Sequence, residues 1–444
     1  MKIILPELEI KPDAGFSTDI DIFKRAGFGE RLSNLIANAD DYPVIALDSG
    51  WGEGKSTFIK MWRGYLENHR NTRIKTIYFD AFENDYQKDS FLTLASEIYQ
   101  LISSEDEEKQ VEFREKTIKA FKSFSRGAIK IAVKAGTAGV VDGSAFDSVE
   151  KEISNLVSEQ VDDIVKDKFK NVQRDKLALK EFKSYLEVFA ETAGEGSPII
   201  FIIDELDRCK PDFALSLLEQ IKHLFSVNGI SFLLVTNRVQ LEEIIKTKYG
   251  KNINPTNYLH KFINLWLSLP RTSGQYNDDG VVFLNYAIKS MMVNDEKIVN
   301  SRTIEAFTEI VKYRQLSFRE IERMLSYYSV IQNMTGETKY YNSYQILIAL
   351  ACFLKASHPE ALKELNGKLN YDDIIKLSRL DELVDETEYN TLFHMKKLLR
   401  FDLGSEEVRS KMMDEKEIQA DSFRGISKNI IVTINKWLSD INHN

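Results

Sequence analysis

A lysine and a hydroxyl directly after a glycine-rich turn, Gly54-Lys55-Ser56, are the residues best placed for chemistry. An apolar run at 43–47 precedes the turn and an apolar-periodic segment follows it, which predicts a strand, a loop and a helix. Glycines let backbone N–H groups surround phosphate oxygens, and the helix N-terminus adds partial positive charge. Lys55 can then reach the β- and γ-phosphates, while the Ser56 hydroxyl can ligate Mg²⁺. The predicted phosphate-binding residues are Gly50, Trp51, Gly52, Glu53, Gly54, Lys55, Ser56 and Thr57.

This turn departs at one position from the general phosphate-binding pattern G-x-x-x-x-G-K-[ST]. Ser49 stands where the pattern has glycine, but Gly50 and Gly52 supply backbone freedom close by. The alternative is an ordinary corner between a strand and a helix. Because a strand is predicted before the turn and a helix after it, the context favours the phosphate site.

Two acids end a second apolar run and supply the other half of a nucleotide site. Residues 199–203 are all apolar, as in a strand buried on both faces, and Asp204 and Glu205 follow them. Asp204 can hold Mg²⁺, and Glu205 can orient and deprotonate an attacking water. Apolar strands that end in acids are common, but two such motifs in the correct order are much less common. The two motifs together predict a nucleotide site.

Polar residues follow two further predicted strands. Asn237 comes after the apolar strand at 232–236 and could bridge the γ-phosphate and the attacking water. A turn residue at the end of a strand is the equal alternative for Asn237. Asp80 or Glu83, at the end of the second predicted strand, could face the phosphates. Alternatively, these carboxylates cap the helix that is predicted to start near Ser90.

Length and composition set broad limits on the chain. Its 444 residues should form two or more domains, and 43% hydrophobic with 29% charged residues suits a globular protein with a sizeable core. The net charge of −9 argues against a surface built entirely for nucleic acid. Cys209 and Cys352 form no disulfide framework or metal pattern, and no apolar run is long enough to span a membrane. With a start too short and too acidic for a signal peptide, the chain is expected in the cytoplasm.

The order of the elements predicts an α/β fold with a parallel sheet flanked by helices, an inserted helical subdomain and a C-terminal all-α domain. Strands are predicted at 43–48, 74–79, 199–203, 232–236 and, at the sheet edge, 262–269. Residues 1–20 are predicted to form an irregular leader. The predicted divisions are the first part of the nucleotide domain at 1–101, the insertion at 102–196, the second part at 197–270 and the helical domain at 271–444.

A basic amphipathic helix is predicted at 116–140, inside the insertion. Its basic arc contains Lys116, Lys119, Lys122, Arg126, Lys130 and Lys134. Its apolar arc contains Ile118, Phe121, Phe124, Ala128 and Ile131. Such a helix can lie on an anionic membrane or bind an acidic partner. The alternative is a solvated lysine face over an intramolecular core, with a flexible turn after it.

With both motifs placed, the chain resembles the KAP family of P-loop NTPases, in the additional-strand, catalytic-glutamate division. The resemblance covers about 40–270. The segments that carry it are Gly50-Trp51-Gly52-Glu53-Gly54-Lys55-Ser56, Phe79-Asp80-Ala81-Phe82-Glu83, Asp204-Glu205-Leu206-Asp207-Arg208-Cys209-Lys210-Pro211, and Tyr258-Leu259-His260-Lys261-Phe262-Ile263 with Leu269-Pro270. Relatives often have two aspartates where Asp204 and Glu205 stand, and frequently Asp where Asn237 stands. Many also carry transmembrane helices in the slot that 102–196 fills here.

The resemblance implies an ATPase that uses ATP and Mg²⁺ and acts as a nucleotide-driven switch in bacterial antiphage defence. Catalytic roles are expected for Lys55, Glu205 and Asn237. Arg319 falls where relatives have an arginine that could report the γ-phosphate to the helical domain, and a surface salt bridge is the alternative. Arg208 is a second candidate, within or across subunits. A peripheral position at the inner membrane face stays open, whereas an integral one is disfavoured.

Two further functions stay open at this stage. One is a scaffold that binds nucleotide and forms a homo-oligomer or binds a partner protein without turnover. The other is a nucleic-acid-stimulated ATPase that uses the basic helix at 116–134, which is less favoured. ATP is favoured over GTP because no Asn-Lys-x-Asp motif is present.

Overall fold

The computed structural model describes residues 1–70, 74–87, 89–102, 106–136, 158–272, 278–292, 301–336, 340–360, 370–384, 387, 390–418 and 429–440, and side chains from 124 to 172 are outside that description. Its centre is a parallel sheet of five strands. These are β1 (Val44–Asp48), β2 (Thr76–Asp80), β3 (Ile199–Asp204), β4 (Ile230–Thr236) and β5 (Leu265–Ser268). All five predicted strands are confirmed, although their ends shift by a few residues.

The strand order is β2-β3-β4-β1-β5, so β4 lies between the two strands that precede the predicted site. Asp48 of β1 pairs with Thr236, and Asp204 of β3 pairs with Val235. Because all strands are parallel, the carboxyl ends of β1 and β3 reach the same edge of the sheet. The predicted edge position of the last strand is also confirmed, since β5 pairs only with β1 among the described residues.

Helices cover both faces of the sheet. The helices of this half are α1 (Ala26–Ala37), α2 (Lys55–Gly64), α3 (Ser90–Tyr99), α4 (Glu107–Gly136), α5 (Ser158–Gly194), α6 (Pro211–Gln220), α7 (Arg238–Tyr249) and α8 (Pro255–Leu259). Side chains alternate between the faces along each strand. Ile202 therefore packs in the core beneath α1 and α2, whereas Phe201 packs in the core beneath α3 and α6. Burial on both faces explains why the central strands are continuous apolar runs.

Two long helices, α4 and α5, lie within the range predicted as an insertion and pack along each other. Phe113 of α4 and Phe182 of α5 are buried, and their ring centroids are 6.4 Å apart. The Lys116 ammonium forms an ion pair with the Glu181 carboxylate of α5 at 3.3 Å. One lysine of the predicted basic arc thus contacts the neighbouring helix.

The basic amphipathic surface predicted over 116–140 is described only in its first part. The buried positions there are Phe113, Thr117, Ala120 and Ser123. Ile118 was assigned to the apolar arc, and this assignment is wrong because its side chain is 50% exposed, one residue away from the buried stripe. Side chains from 124 onward and residues 137–140 lie outside the described residues. The partner of this surface stays a prediction.

The C-terminal half is helical throughout its described residues. Its helices are α9 (Asp279–Met291), α10 (Ser301–Arg314), α11 (Phe318–Thr335), α12 (Asn342–Ser357), α13 (Tyr371–Ser378), α14 (Thr391–Leu403), α15 (Glu406–Asp414) and α16 (Ile430–Asp440). They share one hydrophobic core around α12, whose central residues 346–354 are all buried. The fold is therefore an α/β P-loop type with a helical C-terminal region, and the domain boundaries stay a prediction. Of the helices described, none has the length and apolar composition required to cross a bilayer.

Candidate nucleotide site

The phosphate loop, residues 49–54 between β1 and α2, has the backbone shape that phosphate binding requires. Gly52 (φ +76°) and Gly54 (φ +79°) lie in the left-handed region, which glycine adopts without strain. Lys55 begins α2, and its Nζ donates hydrogen bonds to the Ser49 carbonyl at 2.7 Å and to the next carbonyl at 3.0 Å. Burial lowers the pKa of Lys55 below its usual value. The ammonium group therefore lies inside the curl of the phosphate loop.

The carboxylate of Asp204, at the end of β3, lies against the first turn of α2. Its residue is 1% exposed, and it accepts hydrogen bonds from the Ser56 hydroxyl, from the Tyr78 hydroxyl at 3.2 Å and from the Glu205 N–H at 2.8 Å. Burial raises the pKa of Asp204, and these three hydrogen bonds oppose the rise. The structure thus brings Ser56 and Asp204, the two predicted metal ligands, into direct contact.

Glu205 adopts a backbone conformation that is rare for a residue with a Cβ. Its φ of +58° lies in the left-handed region, and strain of this kind concentrates at functional sites. Its carboxylate forms an ion pair with the Arg208 guanidinium at 2.9 Å. Burial raises the pKa of Glu205, and the charge of Arg208 opposes the rise. The two residues predicted as base and second arginine are therefore partners in this structure.

One cavity of about 250 Å³, called the phosphate cavity below, contains these groups. Residues 51–57 form one wall, and Asp204, Glu205 and Arg208 form another. Arg319, the first-turn arginine of α11, also lines the cavity. The structure thus gathers the predicted phosphate-binding residues from 51 to 57, both acids and both candidate arginines.

A comparison with protein families identifies the family to which this chain belongs. The model described as the KAP family P-loop domain matches residues 25–333. The chain belongs to the KAP family. The matched range contains the whole sheet and every residue that lines the phosphate cavity. This KAP protein is therefore a nucleotide-binding P-loop NTPase.

Other comparisons report more distant similarity. An uncharacterized protein of Methanocaldococcus jannaschii is 29% identical over 136 residues, which are 29% of this KAP chain and 67% of that protein. The chain is also similar to the solved structure of the Aeropyrum pernix ORC2 protein in ADPNP and ADP complexes, with 13% identity and a TM-score of 0.37. That alignment covers 99% of this chain and 98% of the other.

Three polar residues at strand ends lie outside the wall of the phosphate cavity. The Asn237 side-chain oxygen caps α7 by accepting hydrogen bonds from the N–H groups of its second and third following residues. Asp80 accepts a hydrogen bond from the Glu83 N–H at 2.8 Å. The cap of α3 is Asp89, not Asp80 or Glu83 as the alternative interpretation held. A role of Asn237 in water positioning stays a prediction.

Asp207 is a site residue that the sequence reasoning did not single out for a role. Its carboxylate accepts hydrogen bonds from the Trp51 indole at 2.5 Å, from the Thr236 hydroxyl at 3.1 Å and from the Asn237 N–H at 2.9 Å. Asp207 therefore links the phosphate loop to the end of β4 through hydrogen bonds. The sequence did indicate that Asp207 belongs to the site, because it follows Asp204 by three residues in the segment 204–211 that resembles the KAP family.

A group of contacts called the seam joins the phosphate loop to the helical half of this KAP protein. Its residues are Arg25, Glu53, Arg271, Phe318 and Arg319. The Arg271 guanidinium donates hydrogen bonds to the Glu53 carboxylate at 2.6 Å and to the Leu316 carbonyl at 2.7 Å. Arg25 donates to the Glu53 carbonyl at 3.2 Å. Burial raises the pKa of Glu53, and the charges of Arg271 and Arg25 oppose this.

The Arg271→Ala variant is expected to lose about 1–3 kcal/mol of unfolding free energy, because the mostly buried Glu53 carboxylate loses its closest charged partner. Urea unfolding measures the change. Lys312→Ala removes a partly exposed ion pair with Glu309, three residues away on the same helix, and should change the unfolding free energy by about 0.5 kcal/mol or less. Equal effects of the two substitutions would contradict a structural role for the seam.

A second cavity of about 320 Å³ adjoins the phosphate cavity. Most of its wall is apolar, and the leader contributes to it. Apolar residues that line it are Leu5, Leu8, Ile20, Ile22, Phe23, Met61, Phe283 and Phe318. The Phe318 ring stacks between those of Phe23 and Phe283, with centroids 4.7 and 4.8 Å apart. The sequence predicts only an irregular leader for residues 1–20, and their place in the wall of this cavity is not predicted.

Proposed function

We propose that this KAP protein binds ATP with Mg²⁺ and hydrolyses it to drive a switch. The observation that supports this proposal is the convergence of Lys55, Ser56, Asp204 and Glu205 on the phosphate cavity. Lys55 and the phosphate-loop N–H groups would bind the β- and γ-phosphates. Glu205 would then accept a proton from the attacking water after its ion pair with Arg208 opens.

The residues around Asp204 fit a magnesium ion. Ser56 and Asp204 offer hard oxygen ligands in contact with each other, and Mg²⁺ bound to nucleotides uses few protein ligands together with phosphate oxygens. In the described ranges, no group of three or more acidic, histidine or cysteine side chains gathers as a separate metal cluster. When bound, Mg²⁺ neutralises charge on the phosphates.

The second cavity suits the nucleoside part of the substrate. Its apolar wall, which includes Ile20, Ile22 and Met61, would accept a flat nucleobase, because small-molecule sites are mostly apolar cavities. It borders the phosphate cavity on the side of Gly54 and Thr57. Adenine is proposed as the base because the chain has no Asn-Lys-x-Asp motif.

The seam supports the proposal of a switch. Arg319 of α11 lines the phosphate cavity, so a γ-phosphate would interact with both halves of the chain. Arg271 and Glu53 connect the same halves through the phosphate loop. Binding would therefore favour the closed arrangement of the halves, and hydrolysis would weaken it. In this proposal the nucleotide domain ends at residue 270 and the helical domain begins at residue 271.

Phosphate release measured against protein concentration tests the proposed function. Wild type should release phosphate from ATP in a Mg²⁺-dependent reaction. Lys55→Ala should bind ATP about 10- to 100-fold more weakly, because charge-assisted hydrogen bonds to the phosphates are lost. Lys60→Ala is the matched control, since Lys60 is exposed on the same helix α2 and does not line the cavity.

The other outcomes separate the alternatives. ATP binding without any phosphate release would contradict hydrolysis and support a non-hydrolytic scaffold. Release that requires DNA or RNA, and that weakens steeply with salt, would support the nucleic-acid-stimulated enzyme. A linear dependence of rate on protein concentration would contradict activation by self-association over that range.

We also propose a role in antiphage defence, which rests on the family resemblance alone. A bacterial host that expresses the wild type should plate fewer phages of a panel than a host that expresses Lys55→Ala. Equal plating of the two hosts would contradict the role. Flotation with anionic liposomes tests peripheral membrane contact through 116–140, and failure to float would exclude it.

A further inference from the structure

The phosphate cavity and the second cavity share five lining residues. These are Gly54, Thr57, Phe283, Phe318 and Glu322. A nucleotide with its phosphates at Lys55 and its base in the second cavity must pass this shared wall with its ribose. The polar side chains of the wall are a threonine at the start of α2 and a single carboxylate, Glu322.

Glu322 lies on the face of α11 that looks toward the nucleotide site. It follows Arg319 by three residues, and residues at this spacing are neighbours on a helix surface. Both line the phosphate cavity, and Glu322 alone of the two also lines the second cavity. Glu322 therefore marks the transition between the two cavities on the side of the helical half.

The Glu322 carboxylate has no side-chain or backbone partner among the residues that the structure describes, and it is half-buried. The neighbouring Glu320 has a structural role instead, because its carboxylate accepts hydrogen bonds from Ser317, which caps the same helix, and from the Ser357 hydroxyl at the end of α12. An ionised carboxylate is an acceptor only, so Glu322 can accept hydrogen bonds from donor groups of a ligand in the cavities.

We propose that Glu322 accepts hydrogen bonds from the ribose hydroxyls of the bound nucleotide and so selects ribonucleotides over deoxyribonucleotides. A carboxylate that binds ribose hydroxyls is a recurrent solution in dinucleotide sites. Repulsion from the phosphates is moderated by Arg319 on the same face of α11. The inference rests on the nucleotide binding in the proposed function but does not require hydrolysis.

Titration calorimetry with ADP, 2′-deoxy-ADP and 3′-deoxy-ADP in the presence of Mg²⁺ tests the assignment. Wild type should bind at least one deoxy nucleotide about tenfold more weakly than ADP, the effect of one charge-assisted hydrogen bond. In Glu322→Ala the ratio should fall to about one, because no acceptor remains. Glu322→Gln keeps a neutral acceptor and should show an intermediate ratio.

Arg323→Ala is the matched control, because Arg323 is the next residue on α11 and is exposed. It should keep the wild-type ratio. Equal affinity of wild type for all three nucleotides would overturn the assignment, as would an unchanged ratio in Glu322→Ala. A lack of phosphate release would refute hydrolysis, but the affinity ratios could still be measured. If wild type binds neither ADP nor GDP, both the proposed function and the role of Glu322 are overturned.

Discussion

Glu205→Gln is expected to lower steady-state phosphate release by about 10²–10⁴-fold, the usual contribution of a general base. Glutamine has the same length and branching as glutamate, so the change removes the charge and basicity of the side chain but not its shape. ATP affinity should remain within a few fold of wild type, since Lys55 and the phosphate loop are untouched. A loss of phosphate release with unchanged ATP affinity is the result expected only if Glu205 acts as the general base.

Phosphate release and equilibrium binding of ATP on the same preparation measure this effect. Glu191→Gln is the control, since Glu191 is exposed on α5 and does not line the phosphate cavity. It should turn over at the wild-type rate. Unchanged turnover in Glu205→Gln would show that another group activates the water, and Asp204 would be the next residue to examine.

Gly52→Ala is expected to lower the free energy of unfolding by about 2–5 kcal/mol and to weaken nucleotide binding. The left-handed φ of +76° costs a residue with a Cβ about 1–2 kcal/mol. The added Cβ would also lie 2.7 Å from the Arg319 Cβ and 3.2 Å from the Arg319 backbone nitrogen, where overpacking adds about 1–3 kcal/mol. The seam must therefore open to admit the methyl group.

Gly250→Ala separates the two contributions. Gly250 has a φ of +90°, but a Cβ built there meets no atom within 4 Å. Its substitution should show only backbone strain, with unchanged nucleotide affinity. Urea unfolding of both variants and ADP titration measure the difference. Unchanged nucleotide affinity in Gly52→Ala would mean that the contact between Gly52 and Arg319 is not tight in solution.

The central strands were predictable because their local pattern and their environment agree. A run such as residues 199–203 has no polar residue and can only be buried on both faces. The convergence of Lys55 and Asp204 followed from topology, since the ends of parallel strands reach one edge. The roles predicted for these residues await the assays above.

The seam was not predictable because its partners are distant in sequence and lie in irregular segments. Arg271 follows β5 and Glu53 lies in the phosphate loop, so no periodicity connects them. The ends of helices raised a similar difficulty. Asn237 could serve a phosphate or cap a helix, and only the backbone geometry of α7 showed that its oxygen is used as a cap. Ile118 was misplaced because one residue turns a helix by about 100°.

The seam also affects how the protein unfolds. Arg271 binds one residue of the phosphate loop and one that precedes α11. The three stacked phenylalanines come from the segment just before α1 and from helices α9 and α11. Separating the halves would break all these contacts together. Heat is therefore expected to melt the sheet and the C-terminal helices in one cooperative transition, without a stable intermediate in which only one half is ordered.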